Sequence, residues 1–112
     1  MTLRDLPERD QAALSEFARR VRGALRGNLL DLRLFGSKAR GTATPESDLD
    51  VAVVVSTDRR AAEDLILDIA FDVNLAHDVY ISPRVLERAV VEDPVWKHTS
   101  LLRAISSEGV PL

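Results

Sequence analysis

Two carboxylates, Asp48 and Asp50, stand two residues apart where an apolar run extends from Leu49 to Val55. A run of this composition predicts a β-strand, along which successive side chains point to opposite faces. The two carboxylates therefore project from the same face at the start of the strand. Like charges this close disfavour double ionisation unless a cation joins them, and hard oxygen ligands suit Mg²⁺. The pair predicts a magnesium site.

A Gly-Ser turn precedes this strand. Gly36 and Ser37 follow a first apolar run, Leu29 to Phe35, and open a short helical segment. Because glycine lacks a Cβ, the backbone at Gly36 would be able to approach a triphosphate closely. The Ser37 hydroxyl and the amides that open the helical turn would donate hydrogen bonds to phosphate oxygens. The turn therefore predicts a nucleotide-binding loop.

Lys38 and Arg40 are the cations nearest to this turn. Lys38 would reach a phosphate as a point charge, although a basic residue here is equally well explained as a surface cation. Arg40 would serve the nucleotide or brace the loop by pairing with Asp48 or Glu46. Both cations join the Gly-Ser turn as candidate nucleotide-binding residues.

The turn and the carboxylates together resemble the signature of the DNA polymerase β-like nucleotidyltransferases, a Gly-Ser turn followed by an Asp-x-Asp pair. The most specific stretch is GSKARGTATPESDLD, which includes Gly41 and a loop at Pro45. Many relatives have Arg at the position of Lys38. Within this superfamily the chain is similar to the minimal nucleotidyltransferases, bacterial antitoxins of the MntA type that are paired with a HEPN-domain ribonuclease toxin. The resemblance runs from about Leu14 to the C-terminus, and the length of 112 residues predicts a single minimal nucleotidyltransferase domain over residues 1–112.

This resemblance implies a third acidic residue on a strand beside the Asp-x-Asp strand. Asp78 matches that place, whereas the alternative, Asp72, lies within a predicted helix and is expected on its polar face. Asp48, Asp50 and Asp78 are therefore the expected catalytic and metal-binding residues. With ATP bound, they would hold two Mg²⁺ ions, one bridging the phosphates and one lowering the pKa of an attacking hydroxyl.

The implied reaction is transfer of a nucleoside monophosphate, AMP from ATP, to a hydroxyl group. The likeness to MntA-type proteins implies that this hydroxyl belongs to a tyrosine of a HEPN toxin encoded by the neighbouring gene, so that the chain acts as an antitoxin. Two alternatives stay open. One is the same chemistry on a small molecule, as in aminoglycoside nucleotidyltransferases, which usually append a helical domain for which this chain has no length. The other is a non-catalytic module that neutralises its partner by binding.

A partner protein would complete the site, because the chain supplies little beyond a sheet and its helices to enclose a nucleotide and an acceptor. Apolar residues of the last segment, such as Trp96 and Leu101, form the expected docking surface.

The composition is that of an ordinary globular domain: 112 residues, of which 46% are hydrophobic and 29% charged. Without cysteine there is no disulfide framework and no thiolate metal site. The chain has neither a signal-peptide core nor an apolar run of membrane-spanning length, so a cytoplasmic location is expected. A formal charge of −3 gives no overall attraction for nucleic acid, and the basic cluster of residues 19–26 is expected to be a solvated or protein-binding face.

Hydrophobic periodicity predicts an α/β fold, or α+β if the sheet is mainly antiparallel. We expect a small mixed β-sheet of three or four strands with helices packed on one side, the polymerase β-like arrangement that the resemblance also implies. Leu30, Leu32 and Leu34 are expected to share one face, and Pro83 to open a helix that Ser82 caps. The predicted elements are helix Glu8–Leu25, strands Leu29–Phe35 and Leu49–Val55, helix Arg59–Leu75, strand His77–Ser82, helix Arg84–Val91 and a last segment Pro94–Ser107.

Overall fold

The protein is described by a computed structural model that covers residues 3–42, 44 and 47–112. Four strands form one mixed sheet, and helices pack on it, as the sequence predicts. The α-helices are α1 (Glu8–Leu25), α2 (Ser37–Arg40), α3 (Arg59–His77), α4 (Arg88–Glu92) and α5 (Ser100–Glu108), and the strands are β1 (Leu29–Phe35), β2 (Leu49–Val55), β3 (Ile81–Glu87) and β4 (Val110–Pro111).

The sheet has the strand order β3-β2-β1-β4. β1 is antiparallel to both β2 and β4, and β2 is parallel to β3. The parallel pair is joined through α3, because two parallel neighbours need a crossover of helical length between them. β2 is therefore a central strand, and the carboxylates at its start have a neighbouring strand on each side.

The main hydrophobic core lies between one face of the sheet and the layer formed by α1 and α3. Phe17 and Val21 of α1, Ile66 and Val73 of α3, and Val53 of β2 are all fully buried. On each helix the buried residues recur at three- and four-residue steps, which gives one apolar stripe facing the sheet. Burying each such side chain contributes roughly 1.5–3 kcal/mol to folding, so this core holds β2 in place.

The other face of the sheet is partly covered by α5, so the expectation of helices on one side is wrong. Leu102 and Ile105 of α5 pack with Phe35 and Ala52 in a smaller cluster. The Thr99 side chain accepts a hydrogen bond from the Leu102 amide and caps the start of α5. The second cluster is smaller than the main core because α5 is a helix of only 9 residues.

The third strand and the helix after it lie further along the chain than predicted. α3 continues to His77, and β3 begins only at Ile81. Pro83 lies inside β3, opposite Val51, and does not open a helix. Proline is tolerated there because β3 is an edge strand and one of its sides has no hydrogen-bonding neighbour. The Asn74 side chain fixes the start of the strand, since it accepts from the Ile81 amide at 2.7 Å and donates to the Ile81 carbonyl at 3.2 Å.

A β-bulge at the start of β1 changes which leucines face the core. Leu32 and Leu34 are buried there as predicted, but Leu30 is exposed and Leu29 packs against the core in its place. The pairing with β2 shifts between Leu29 and Asp31, and one extra residue exchanges the two faces of a strand. Among the described residues, no helix combines the length and apolar character needed to cross a membrane.

Candidate active site

Asp48 and Asp50 flank the first residue of β2. Asp48 is exposed, whereas Asp50 is half-buried and lies opposite Phe35 of β1 and Ser82 of β3. Burial raises the pKa of the Asp50 carboxyl, and the negative charge of Asp48 raises it further. Arg84 and Arg40 oppose this shift. A divalent cation beside both carboxylates would relieve the repulsion between them, so this pair of hard oxygen donors fits Mg²⁺.

The Gly36 backbone lies directly against the Asp50 carboxylate. Its φ of +80° lies in the left-handed region, which residues with a side chain rarely adopt. A Cβ at this position would also collide with the Asp50 Oδ2 atom. The Gly-Ser turn and the second carboxylate therefore form one unit, because the turn comes so close to the carboxylate only in the absence of a side chain.

The turn continues into the four-residue helix α2. The Gly36 carbonyl accepts from the Arg40 amide at 3.0 Å, and the Ser37 carbonyl accepts from the Thr42 amide at 3.1 Å. Gly41, with φ of +77°, ends the helix in the left-handed conformation. The Ser37 hydroxyl has no hydrogen-bond partner among the described residues. Its oxygen is therefore available to a ligand at the turn.

Lys38 points away from solvent. Its ammonium lies 2.9 Å from the Asp10 carboxylate of α1, and only 5% of Lys38 and 4% of Asp10 are exposed. The interpretation as a surface cation is therefore wrong. A buried pair of this kind ties α2 to α1, and the structure directs the Lys38 charge to Asp10 and not to open solvent beside the turn.

Arg40 lies near the carboxylates but forms its ion pair with α5. Its guanidinium is 3.1 Å from Glu108, and it also lowers the pKa of Asp50. Of the two acidic partners predicted for Arg40, Glu46 lies outside the described residues. Pro45 of the predicted loop also lies outside them. Arg40 thus links the turn to the last helix and contributes positive charge to the site.

Asp78 is not brought to the other two carboxylates. It follows the last residue of α3 with φ of +53°, its side chain is 98% exposed, and its carboxylate lies 3.7 Å from Arg9. The β3 residue opposite Asp50 is Ser82. Over residues 3–42, 44 and 47–112, no group of three acidic, histidine or cysteine side chains is placed to hold a metal. The alternative, Asp72, pairs with Arg20 at 3.0 Å on the polar side of α3, as predicted.

Two residues near the site, Arg84 and Asp10, were not predicted from the sequence. Arg84 acts on the charge of Asp50 because it lies on β3 two residues beyond Ser82, on the same face. Asp10 partners Lys38 from the first turns of α1. Arg84 would have been identified by assigning residues 81–87 to a strand. Asp10 had a weaker signal, a charged residue among the apolar positions of the core-facing stripe.

Comparison with known proteins decides the family. The nucleotidyltransferase domain family matches residues 14–106. The chain belongs to that family. This nucleotidyltransferase is 33% identical over 73 residues to "Putative protein adenylyltransferase MJ0604" of Methanocaldococcus jannaschii, covering 65% of this chain and 69% of that protein. It is 31% identical over 98 residues to "Putative protein adenylyltransferase MJ0141" of the same organism, covering 87% of this chain and 92% of that protein.

Solved structures share the fold. A spectinomycin adenyltransferase AAD(9) from Enterococcus faecialis, solved with ATP and spectinomycin, superimposes with a TM-score of 0.63 and 22% identity over 78% of this nucleotidyltransferase. The alignment spans 37% of that enzyme's chain. A "putative minimal nucleotidyltransferase" aligns over 100% of this chain and 97% of its own, with a TM-score of 0.56 and 26% identity. A toxin-antitoxin with AMP-PNP gives a TM-score of 0.52 and 21% identity over 85% and 68% of the two chains. The resemblance to minimal nucleotidyltransferases inferred from the sequence is confirmed.

Proposed function

We propose that this nucleotidyltransferase transfers AMP from ATP to the hydroxyl of a tyrosine on a partner HEPN-domain toxin, and thereby acts as an antitoxin. The observation that carries the proposal is the fit of Gly36 against the Asp50 carboxylate. It brings a phosphate-binding type of turn and a metal-binding type of carboxylate pair to one place at the start of β2. Transfer of a nucleotide needs both at the same point.

The reaction follows from the groups at this place. The acceptor oxygen forms a bond to the α-phosphorus of ATP, the bond from that phosphorus to the bridging oxygen breaks, pyrophosphate leaves, and the hydroxyl proton passes to solvent. The turn at Gly36 and Ser37 holds phosphate oxygens, and Arg40 adds positive charge near them. Asp48 and Asp50 would hold Mg²⁺, which when bound supplies charge neutralisation for the phosphates and acidifies the acceptor hydroxyl.

Asp78 as a third metal ligand and a second Mg²⁺ ion are proposals that rest on the family resemblance. In the structure the Asp78 carboxylate lies beside Arg9, and the Leu49 amide donates a 2.8 Å hydrogen bond to the Tyr80 carbonyl two residues after Asp78. The carboxylates that the structure does place together suffice to propose one ion. ATP as the nucleotide is supported by the solved neighbours with ATP and with AMP-PNP.

A protein acceptor is favoured by the two archaeal relatives, whose names both refer to protein adenylyltransferases. An exposed apolar corner supports a protein partner as well. Val95 and Trp96, just before α5, are 76% and 56% exposed, while Leu101 is half-buried. Patches of this kind on a protein surface usually mark contacts. We propose that this corner docks the partner, and that the reaction takes place in the cytoplasm.

The position of the label in ATP tests the reaction class. The purified protein, Mg²⁺ and the product of the neighbouring gene are incubated with ATP labelled on either the α- or the γ-phosphate. Adenylyl transfer predicts a labelled partner with α-labelled ATP alone. Label from the γ-phosphate would contradict it. Transfer to an aminoglycoside without transfer to any protein would favour the small-molecule alternative, and toxin neutralisation without any label would favour the non-catalytic one.

A further inference from the structure

The outward face of α3 carries an apolar stripe that the fold leaves uncovered. Leu67, Phe71 and Leu75 follow one another at four-residue steps and are 48%, 65% and 70% exposed. Ile66 and Val73 of the same helix are fully buried on the side that faces the sheet. α3 is therefore apolar on two opposite sides, and one of them has no contact within the described part of the chain that would explain it.

Acidic residues flank this stripe. Asp64 and Asp68 are exposed, and neither has an ion-pair partner among the described residues, whereas Asp72 is paired with Arg20. The exposed Arg60 lies one turn before Asp64 on the same side of α3, so the face has a net charge of one negative unit. The stripe thus favours a partner surface that combines small or apolar groups with positive charge. The residues of this acidic face of α3 are Asp64, Leu67, Asp68, Phe71 and Leu75.

The outward face of α1 has the complementary character. Small residues and Arg19 recur there at three- and four-residue steps, Arg26 follows directly after the last residue of the helix, and all of them are exposed. Small side chains allow another helix to approach closely, and the arginines supply the opposite charge. The residues of this basic face of α1 are Ala12, Ser15, Arg19, Gly23 and Arg26.

The two helices lie side by side and antiparallel on the same face of the sheet. Glu16 lies 3.1 Å from His77, and Arg20 lies 3.0 Å from Asp72. Moving toward the C-terminus of α1 therefore corresponds to moving toward the N-terminus of α3. Four residues along α1 span about the same length as four or five residues along α3. Six residues beyond Arg20, the end of α1 is level with the first two turns of α3.

We propose that the two faces form a symmetric dimer, in which the basic face of α1 in each copy packs on the acidic face of α3 in the other. The two-fold axis would run parallel to the helices, between the helical layers of the two copies. It places α1 of each copy over α3 of the other, and residues of α1 and α3 that are level within one copy stay level across the interface. Arg26 of the second copy then meets Asp64 and Asp68, and Gly23 of the second copy leaves room for Phe71. Stacking α3 on α3 would instead bring together two faces of the same net negative charge, which favours that arrangement less than α1 on α3.

The dimer leaves the candidate active site open. α1 and α3 cover one face of the sheet, whereas Asp50 shares the other face with Ala52 and projects away from the helices. The proposed dimer therefore does not depend on the proposed function, and evidence against either one would leave the other unaffected.

Sedimentation of the full chain over a series of concentrations tests the apolar part. We expect a monomer-dimer equilibrium that Phe71→Ser weakens at least about tenfold, since one exposed aromatic commonly dominates an interface. Val95→Ser, an equally exposed apolar residue outside the helical layer, is the matched control and should leave the equilibrium unchanged. A monomer at every concentration, or a dimer indifferent to Phe71→Ser, would overturn the proposal.

Charge exchange tests which helices meet. Asp64→Lys with Asp68→Lys makes both faces basic and should weaken the dimer about tenfold or more. Adding Arg19→Glu and Arg26→Glu to that variant exchanges the two charges and should restore the dimer. Circular dichroism confirms that each variant is folded. Failure of the exchanged variant to regain association, while folded, would contradict the α1-on-α3 arrangement.

Discussion

At the scale of single residues, Asp50 is held in a state that the fold itself does not favour. Its carboxyl is half-buried beside Asp48, and both burial and that neighbouring charge raise its pKa. A metal ion would require the ionised form of Asp50, and the ionised carboxylate lowers the stability of the fold. Removing the charge should then separate stability from activity.

We predict that Asp50→Asn abolishes nucleotide transfer and leaves the free energy of unfolding at neutral pH unchanged or raised by up to about 0.5 kcal/mol, the usual range for substitutions outside the core. Asp48→Asn should abolish transfer in the same way. Urea unfolding monitored by circular dichroism, beside the label-transfer assay, measures both effects. Wild-type turnover in either variant would refute the metal-site assignment.

The stability gain of Asp50→Asn should depend on pH with a definite sign. Because the pKa of Asp50 is higher in the folded chain than in the unfolded one, the wild type binds this proton more tightly when folded. The destabilisation is therefore present above the folded pKa and disappears as the pH falls through it toward the ordinary Asp value. The difference in unfolding free energy between variant and wild type should shrink on acidification. A difference that grows instead would mean that the pKa is lowered.

The two left-handed glycines of the turn allow a matched comparison. Gly36→Ala combines a collision against Asp50 with a backbone conformation, φ +80° and ψ −159°, that is essentially restricted to glycine, whereas Gly41→Ala keeps the left-handed helical conformation, φ +77° and ψ 15°, with open space for its Cβ. Both should lose about 1 kcal/mol or more of stability from backbone strain, but only Gly36→Ala should also abolish transfer. Thermal melts and kcat/KM for ATP check this. Equal activity loss in the two variants would show that strain, and not contact with Asp50, matters.

Ser37→Ala should reduce transfer less than either aspartate variant. It removes one hydroxyl donor among several backbone amides of the turn, a loss of about 1.5–3 kcal/mol for a hydrogen bond to a charged group. The measurement is kcat/KM for ATP, in parallel with Asp50→Asn. A defect as large as that of Asp50→Asn would assign Ser37 a role beyond holding phosphate.

At the scale of elements, the buried pair between Lys38 and Asp10 anchors the Gly-Ser turn and α2 to α1. We predict that Lys38→Met alone destabilises the protein by about 3–5 kcal/mol, because it leaves Asp10 charged and buried without a partner. Lys38→Met combined with Asp10→Leu should recover much of that loss. Urea unfolding of the single and double variants gives both values. A stable Lys38→Met with a raised KM for ATP would instead support Lys38 as a phosphate ligand.

The elements also show how far the sequence determines the site. The carboxylate pair, the Gly-Ser turn and β2 were predictable because each is a local pattern of a few residues. The start of β3 was not, since Pro83 signals a helix start locally, and its tolerance in a strand depends on β3 being an edge. The partner of Lys38 was equally hidden, because Asp10 is 28 residues away in the chain. The bulge in β1 likewise depends on pairing with β2.

At the scale of the whole molecule, the two faces of the sheet have different tasks. One carries α1 and α3 and builds the main core, and the other carries Asp50 and the smaller cluster formed with α5. This separation allows a partner to approach the carboxylates without disturbing the core.

Intact mass spectrometry of the partner tests the central claim most directly. The protein is co-expressed with the neighbouring gene product, purified, and incubated with ATP and Mg²⁺, with Asp50→Asn as the matched control. We predict that the partner gains the mass of one or more adenylate groups with the wild type and none with the variant. A partner that binds the wild type yet gains no adenylate, or gains as much with Asp50→Asn, would contradict the account.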